Sequence, residues 1–238
     1  MTNINRYLAA IFSSLLAGCG GGGGSITPQA IPSFSYQDAV NVLHANGASV
    51  NVSATQTGST TCTGSGNITI SPVSTGTVFY LTPIRPVNAV SATTTISWNW
   101  TNCTPAHNAL SETDFFSVDR FQSLGYTTGN IYAAFLSSPS YPAMVTVGQN
   151  GGIGTINLFS DSTESTAVGY STLSYSVSAE KNGDGALITI TSQTYNSAGT
   201  LQGIVSTVEQ INATGGLTIV SKTLSFPLIG TVVTLTAS

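Results

Sequence analysis

Apolar and polar residues alternate along most of this chain with the period of two that a half-buried β-strand imposes. Val50-Asn51-Val52-Ser53 and Asn67-Ile68-Thr69-Ile70-Ser71 alternate cleanly. Thr95 to Trp100 puts Ile96, Trp98 and Trp100 on one face and Thr95, Ser97 and Asn99 on the other. Further strands are predicted at 143–147, 153–160, 167–180, 185–195, 200–211, 216–225 and 229–237. Turn residues separate them: Gln149-Asn150-Gly151-Gly152, Asp161-Ser162, Asn182-Gly183-Asp184-Gly185, Asn196-Ser197-Ala198-Gly199 and Thr214-Gly215-Gly216. Consecutive strands joined by tight turns make a meander, and this many invite a strongly curved sheet or a partly closed barrel.

One segment breaks that period. Ser35-Tyr36-Gln37-Asp38 has the capping-box form, Ala39, Val40, Val42 and Leu43 fall at helical spacing, and Gly47 is a natural stop. A short helix is therefore predicted over 36–45. The expected fold class is all-β, a curved antiparallel meander sheet or partly closed barrel with one short N-terminal helix, over residues 31–238. Ser137-Ser138-Pro139-Ser140-Tyr141-Pro142 is the strongest internal break and reads either as a subdomain boundary or as a corner in one sheet.

The first residues follow different rules. Met1 to Arg6 are polar with one positive charge, and Tyr7 to Leu16 form an apolar run too short to span a bilayer but long enough for a signal-peptide core. Leu16-Ala17-Gly18-Cys19 resembles the lipobox of bacterial lipoproteins. That resemblance implies cleavage after residue 18, acylation of Cys19, and anchoring to membrane lipid through several acyl chains. Gly20 to Gly24, with Ser25, Thr27 and Pro28, read as a flexible tether over 19–30. The expected address is the cell envelope, and Gly20 rather than an aspartate after the cysteine points to the outer membrane.

Charge is scarce: 6% of residues against roughly 25% in soluble domains. Past the leader the cations are Arg85, Arg120, Lys181 and Lys222, so no basic patch can neutralise a run of phosphates and nucleic-acid binding is excluded. With Cys19 lipidated, Cys62 and Cys103 remain as a pair in an oxidising compartment, where a disulfide is expected; two inert buried thiols are the alternative.

Beyond the lipobox and glycine run, Thr61-Cys62-Thr63-Gly64, Thr101-Asn102-Cys103-Thr104-Pro105, Val147-Gly148, Ile153-Gly154-Thr155, Phe159-Ser160-Asp161-Ser162 and Tyr195-Asn196-Ser197-Ala198-Gly199 carry a wider resemblance. Together these residues resemble an uncharacterised family of proteobacterial lipoproteins. The resemblance implies the location and a small β-rich domain, with no activity and no catalytic residues to carry over.

Catalytic chemistry has few candidates. His44, near the helix end, reads as a C-terminal cap, and His107 as a solvent-exposed loop residue. Gly169-Tyr170-Ser171-Thr172-Leu173 lacks the closing glycine of a nucleophile elbow. Asn182-Gly183-Asp184-Gly185 with Glu180 offers two carboxylates where calcium needs six to eight oxygens, and a hairpin turn explains it as well. Glu112, Asp114 and Asp119 are the densest acids, and 112 and 114 share a strand face; the neighbouring Phe115, Phe116 and Phe121 suggest an ordinary strand with a wet acidic side. Trp98 and Trp100 are core residues beside the disulfide on this reading, and ligand-contacting aromatics if their face is exposed.

No cofactor and no metal site is expected. The function these observations support is a lipid-anchored, non-catalytic binding or structural module. Alternatives are an adhesin or carbohydrate-contacting module using Trp98, Trp100, Tyr126, Tyr132 or Tyr141, an apolar-ligand carrier built on the curved sheet, and a hydrolase.

Overall fold

The computed structural model describes residues 32–81, 85–119, 122–181 and 185–238. The expected signal peptide over 1–18, Cys19 and the expected tether over 19–30 lie outside the described residues, as does most of the Asn182-Gly183-Asp184-Gly185 turn.

The chain enters through β1 (Ser33–Ser35) and α1 (Tyr36–Asn46). The predicted capping box forms only in part: the Ser35 hydroxyl donates to the Asp38 carboxylate at 2.6 Å rather than accepting from the helix backbone. Gly47 ends the helix at a φ of 70°, and its N–H reaches Leu43 O. A hairpin of β2 (Ala48–Thr57) and β3 (Cys62–Ile70) follows, then β4 (Ser74–Tyr80), β5 (Pro86–Trp100), β6 (His107–Ser117), β7 (Ser123–Thr128) and β8 (Ile131–Ala134). The short β9 (Met144–Thr146) pairs with β1 apart from the main sheet. The predicted meander then runs as β10 (Asn150–Phe159), β11 (Ala167–Ala179), β12 (Gly185–Asn196), β13 (Leu201–Asn212), β14 (Leu217–Phe226) and β15 (Thr231–Ala237). Strands on both sides of Ser137–Pro142 share that sheet, since β8 pairs with β10.

Closure comes from the first and longest elements. β15 returns to β2, and β3 pairs with β5, so the sheet becomes a barrel of 12 strands. β5 manages this by its length: residues 94–100 pair with β3 and residues 86–91 with β4, which continues along the same edge where β3 stops. Closure leaves the 12 barrel strands paired on both sides, with open edges among the described residues only at β4 and in the β1–β9 pair. The outer walls are hydroxyl-rich, with Ser49, Asn51, Ser53 and Thr55 exposed on β2 and Thr172, Ser174, Ser176 and Ser178 exposed on β11. Such walls face water rather than the apolar interior of a bilayer.

The two ends of the barrel differ. One carries the β2–β3, β5–β6 and β14–β15 turns, where Cys62 and Cys103 are joined with their Cα atoms 5.8 Å apart. Trp98 and Trp100 pack inside the wall near it, directly across from Gly66 and Gly64. Those glycines have no room for a side chain: a Cβ would meet the carbonyl oxygen of Ser97 at 2.1 Å from Gly66 and that of Asn99 at 2.0 Å from Gly64, so glycine lets the two strand backbones approach closely there. At the other end α1 and the β1–β9 pair cover the opening. Gln37 N–H donates to Ala143 O and Val73 N–H to His44 O, tying the helix to the barrel's loops.

Candidate functional site

Strand alternation in a barrel delivers every second side chain to the inside. On β6 these are Leu110, Glu112, Asp114 and Phe116; on β13 they are Val205, Thr207, Glu209 and Ile211. A bulge where Val208 and Glu209 meet Ser221 and Ile219 turns both Ile219 and Lys222 of β14 inward. Among the described residues, the strands carry four charged side chains, Glu112, Asp114, Glu209 and Lys222, and all four line the interior. The barrel is thus uncharged along its outer strand faces and charged within.

The interior holds two adjoining lobes of about 220 and 350 Å³ that share Thr94, Glu112, Asp114, Ile190, Thr207 and Lys222. The larger alone falls within the roughly 300–1,000 Å³ of small-molecule sites. The smaller lobe lies under α1, which contributes Tyr36, Val40, Leu43 and His44 to its roof. The larger extends past Ile156, Leu173, Val205 and Leu224 and is bordered by Leu110, an inward residue still 44% exposed, so this lobe reaches solvent on that side.

The polar groups of the cavity form two hydrogen-bonded groups, one around Glu209 and one around Asp114, with the Lys222 charge acting on both through space. Tyr36 Oη donates to Glu209 Oε2 at 2.9 Å, pinning the helix to the barrel wall. Thr94 Oγ1 donates to Asp114 Oδ2 at 3.3 Å, and the Glu112 and Asp114 carboxyls are close enough to share a proton. Burial pushes Asp114 up to about 8, and the neighbouring Glu112 charge adds to the shift. Burial also raises Glu112 and Glu209, each offset in part by Lys222. Tyr126 and Tyr141 are raised too, by burial first and then by these carboxylates. Glu112 and Asp114 border open cavity space while lying deep beneath the outer surface, which is why they are partly accessible yet poorly hydrated.

These placements correct several expectations. Glu112 and Asp114 do share a face, but it is the cavity wall rather than a wet outer side; Asp119 lies beyond β6, in the turn that follows it. His44 is no charged helix cap: burial lowers it to about 4, and its ring packs against Phe116 with centroids 4.2 Å apart. Trp98 and Trp100 are each 7% exposed and stack edge-to-face, so they are not ligand-contacting surface aromatics. Tyr126 and Tyr141 line the interior and Tyr132 is buried, so none of the aromatics on which a glycan platform would rest is displayed outside. Ser171 is fully buried and hydrogen-bonded to Thr194 at 2.8 Å. His107 is exposed, as expected, but it opens β6 rather than lying in a loop, and its ring pairs with Asn99 Oδ1 at 2.9 Å.

The electrostatics yield a prediction with a definite sign. Asp114 binds its proton more tightly folded than unfolded, so the stability it confers is present below about pH 4 and is lost as pH rises toward 8. His44 acts oppositely, but only between about 4 and 6.5. Between pH 6.5 and 8 His44 no longer titrates, so there the wild-type protein should lose stability as pH rises, with Asp114 contributing on the order of 1–2 kcal/mol and the raised Glu112 and Glu209 acting in the same direction. Asp114→Asn should flatten that slope and melt above wild type at pH 8. Parallel slopes for the two proteins in urea titrations at several pH values would refute the assignment.

No family model matches the chain, and no curated protein matches it. Among solved structures it is similar to the crystal structure of a DUF1329 family protein from Desulfovibrio piger, with 9% identity and a TM-score of 0.33 over 86% of this chain and 90% of that one.

Proposed function

We propose that this chain is a lipid-anchored envelope protein that carries a small, largely apolar molecule inside its barrel. The observation that carries the reading is the two-lobed interior space, walled by isoleucine, leucine and valine and roofed by the helix that follows the tether. A barrel of eight strands has room inside for its own side chains or one small ligand, and the interior widens as strands are added. Binding without chemistry is the simpler use of the acids here. Glycoside hydrolysis sets its two carboxyls roughly 5–9.5 Å apart around the scissile bond, while Glu112 and Asp114 lie within reach of each other's proton.

Filling the shared space tests the carrier. Thr207 lines both lobes, and Thr207→Trp should abolish the fluorescence gain of an uncharged naphthalene-type dye while leaving the far-ultraviolet dichroism unchanged. Full dye binding by a folded Thr207→Trp protein would remove the interior as its site. The anchor is tested separately: Cys19→Ser should stop incorporation of labelled fatty acid and release the protein from the membrane fraction, and continued labelling would show that Cys19 is not the acylated residue.

A further inference from the structure

The cavity supplies charge unevenly, and we propose that its occupant bears a protonated amine at one end of an apolar body. This rests on the carrier reading above and adds the chemistry of the head group. Glu112 and Asp114 project from β6 and Glu209 from β13, against the one ammonium of Lys222 on β14. Lys222 influences all three carboxyls through space, yet makes no salt bridge to any of them. His44 adds no cation, because burial holds its imidazole neutral at physiological pH. A buried carboxylate is costly unless paired, and one ammonium cannot pair three. The deficit is met by protonation when the cavity is unoccupied or by a second cation when it is filled.

That cation is organic rather than a metal ion. Among the described residues no group of three or more acidic, histidine or cysteine side chains converges tightly enough to hold a metal. A primary ammonium is less demanding: it has three donors and no acceptor, and it is served by one carboxylate plus hydroxyl oxygens such as those of Thr94 and Thr207. The phenol rings of Tyr126 and Tyr141, which border the same space, offer it aromatic faces. Past this polar end the larger lobe is lined by Ile156, Leu173, Val205 and Leu224, which suit an alkyl body.

Three short, water-soluble probes of one chain length separate the possibilities: hexylamine, hexan-1-ol and hexanoate, titrated calorimetrically into the full acylated protein in nanodiscs, with empty nanodiscs as blank. Hexylamine should bind at least tenfold more tightly than hexanol, and hexanoate more weakly than either. In the double variant Asp114→Asn, Glu209→Gln the preference for amine over alcohol should fall below about threefold while hexanol affinity is kept. Hexanoate binding as tightly as hexylamine would overturn the proposal and make Lys222 the head-group partner. Equal binding of all three would overturn it while leaving the carrier reading intact, and binding of none would overturn the carrier reading itself.

Discussion

Trp98→Ala should lower the unfolding free energy by about 3–5 kcal/mol, the cost of emptying a buried aromatic site that cannot collapse. The indole sits against Trp100 with centroids 6.0 Å apart, in a cluster with Val52, Ala54, Ile68 and Ile96 from three strands. Its partner across the β3–β5 pairing is Gly66, which carries no side chain that could turn to fill the hole. Trp98→Phe should cost less than half as much. Phenylalanine keeps most of the ring, and it removes the indole N–H, which is buried without a hydrogen-bond partner among the described residues. Denaturant curves with unchanged slope would read both values. A Trp98→Ala protein of normal stability would contradict the packing described here and restore the view of these tryptophans as a binding surface.

The strands were legible because alternation is a local property. The predicted strands at 167–180, 185–195 and 216–225 lie within one or two residues of β11, β12 and β14. Barrel closure was not legible, because it depends on β3 meeting β5 across an intervening strand and on β5 being long enough to serve two partners. No periodicity within either strand encodes that.

The cavity acids were half legible. Glu112 and Asp114 visibly share a face, but Ser111 and Thr113 on the other face are also polar, so the alternation of β6 does not say which side is wet. The better clue was scarcity. A chain that builds its outer strand faces from serine, threonine and asparagine has little reason to place a charge mid-strand unless that charge points elsewhere. Lys222 was hidden by a different cause. Ile219 and Lys222 stand an odd number of residues apart, which strict alternation assigns to opposite faces, and only the bulge opposite Val208 and Glu209 turns both inward.

Replacing both cysteines, Cys62→Ser with Cys103→Ser, should cost about 4 kcal/mol, the chain entropy returned to the unfolded state when a loop of this length is opened. The bridge spans 41 residues, from the first residue of β3 to the turn after β5, and so links the two strands whose pairing closes the barrel. For a chain of this size the loss corresponds to a melting point lower by about 8–16 °C. The native state should change little, because other bonds hold the same turn. Thr101 N–H and Oγ1 both donate to Thr63 O, at 2.9 and 2.8 Å, and Asn102 Oδ1 accepts from Thr63 N–H at 2.9 Å. The double variant should therefore keep its dye binding below its melting point while unfolding earlier, and wild type in reductant should match it. Loss of dye binding in a variant still folded by circular dichroism would mean that the bridge shapes the cavity as well as closing the barrel. An unchanged melting point would mean that the β3–β5 seam holds by its hydrogen bonds and the tryptophan cluster alone.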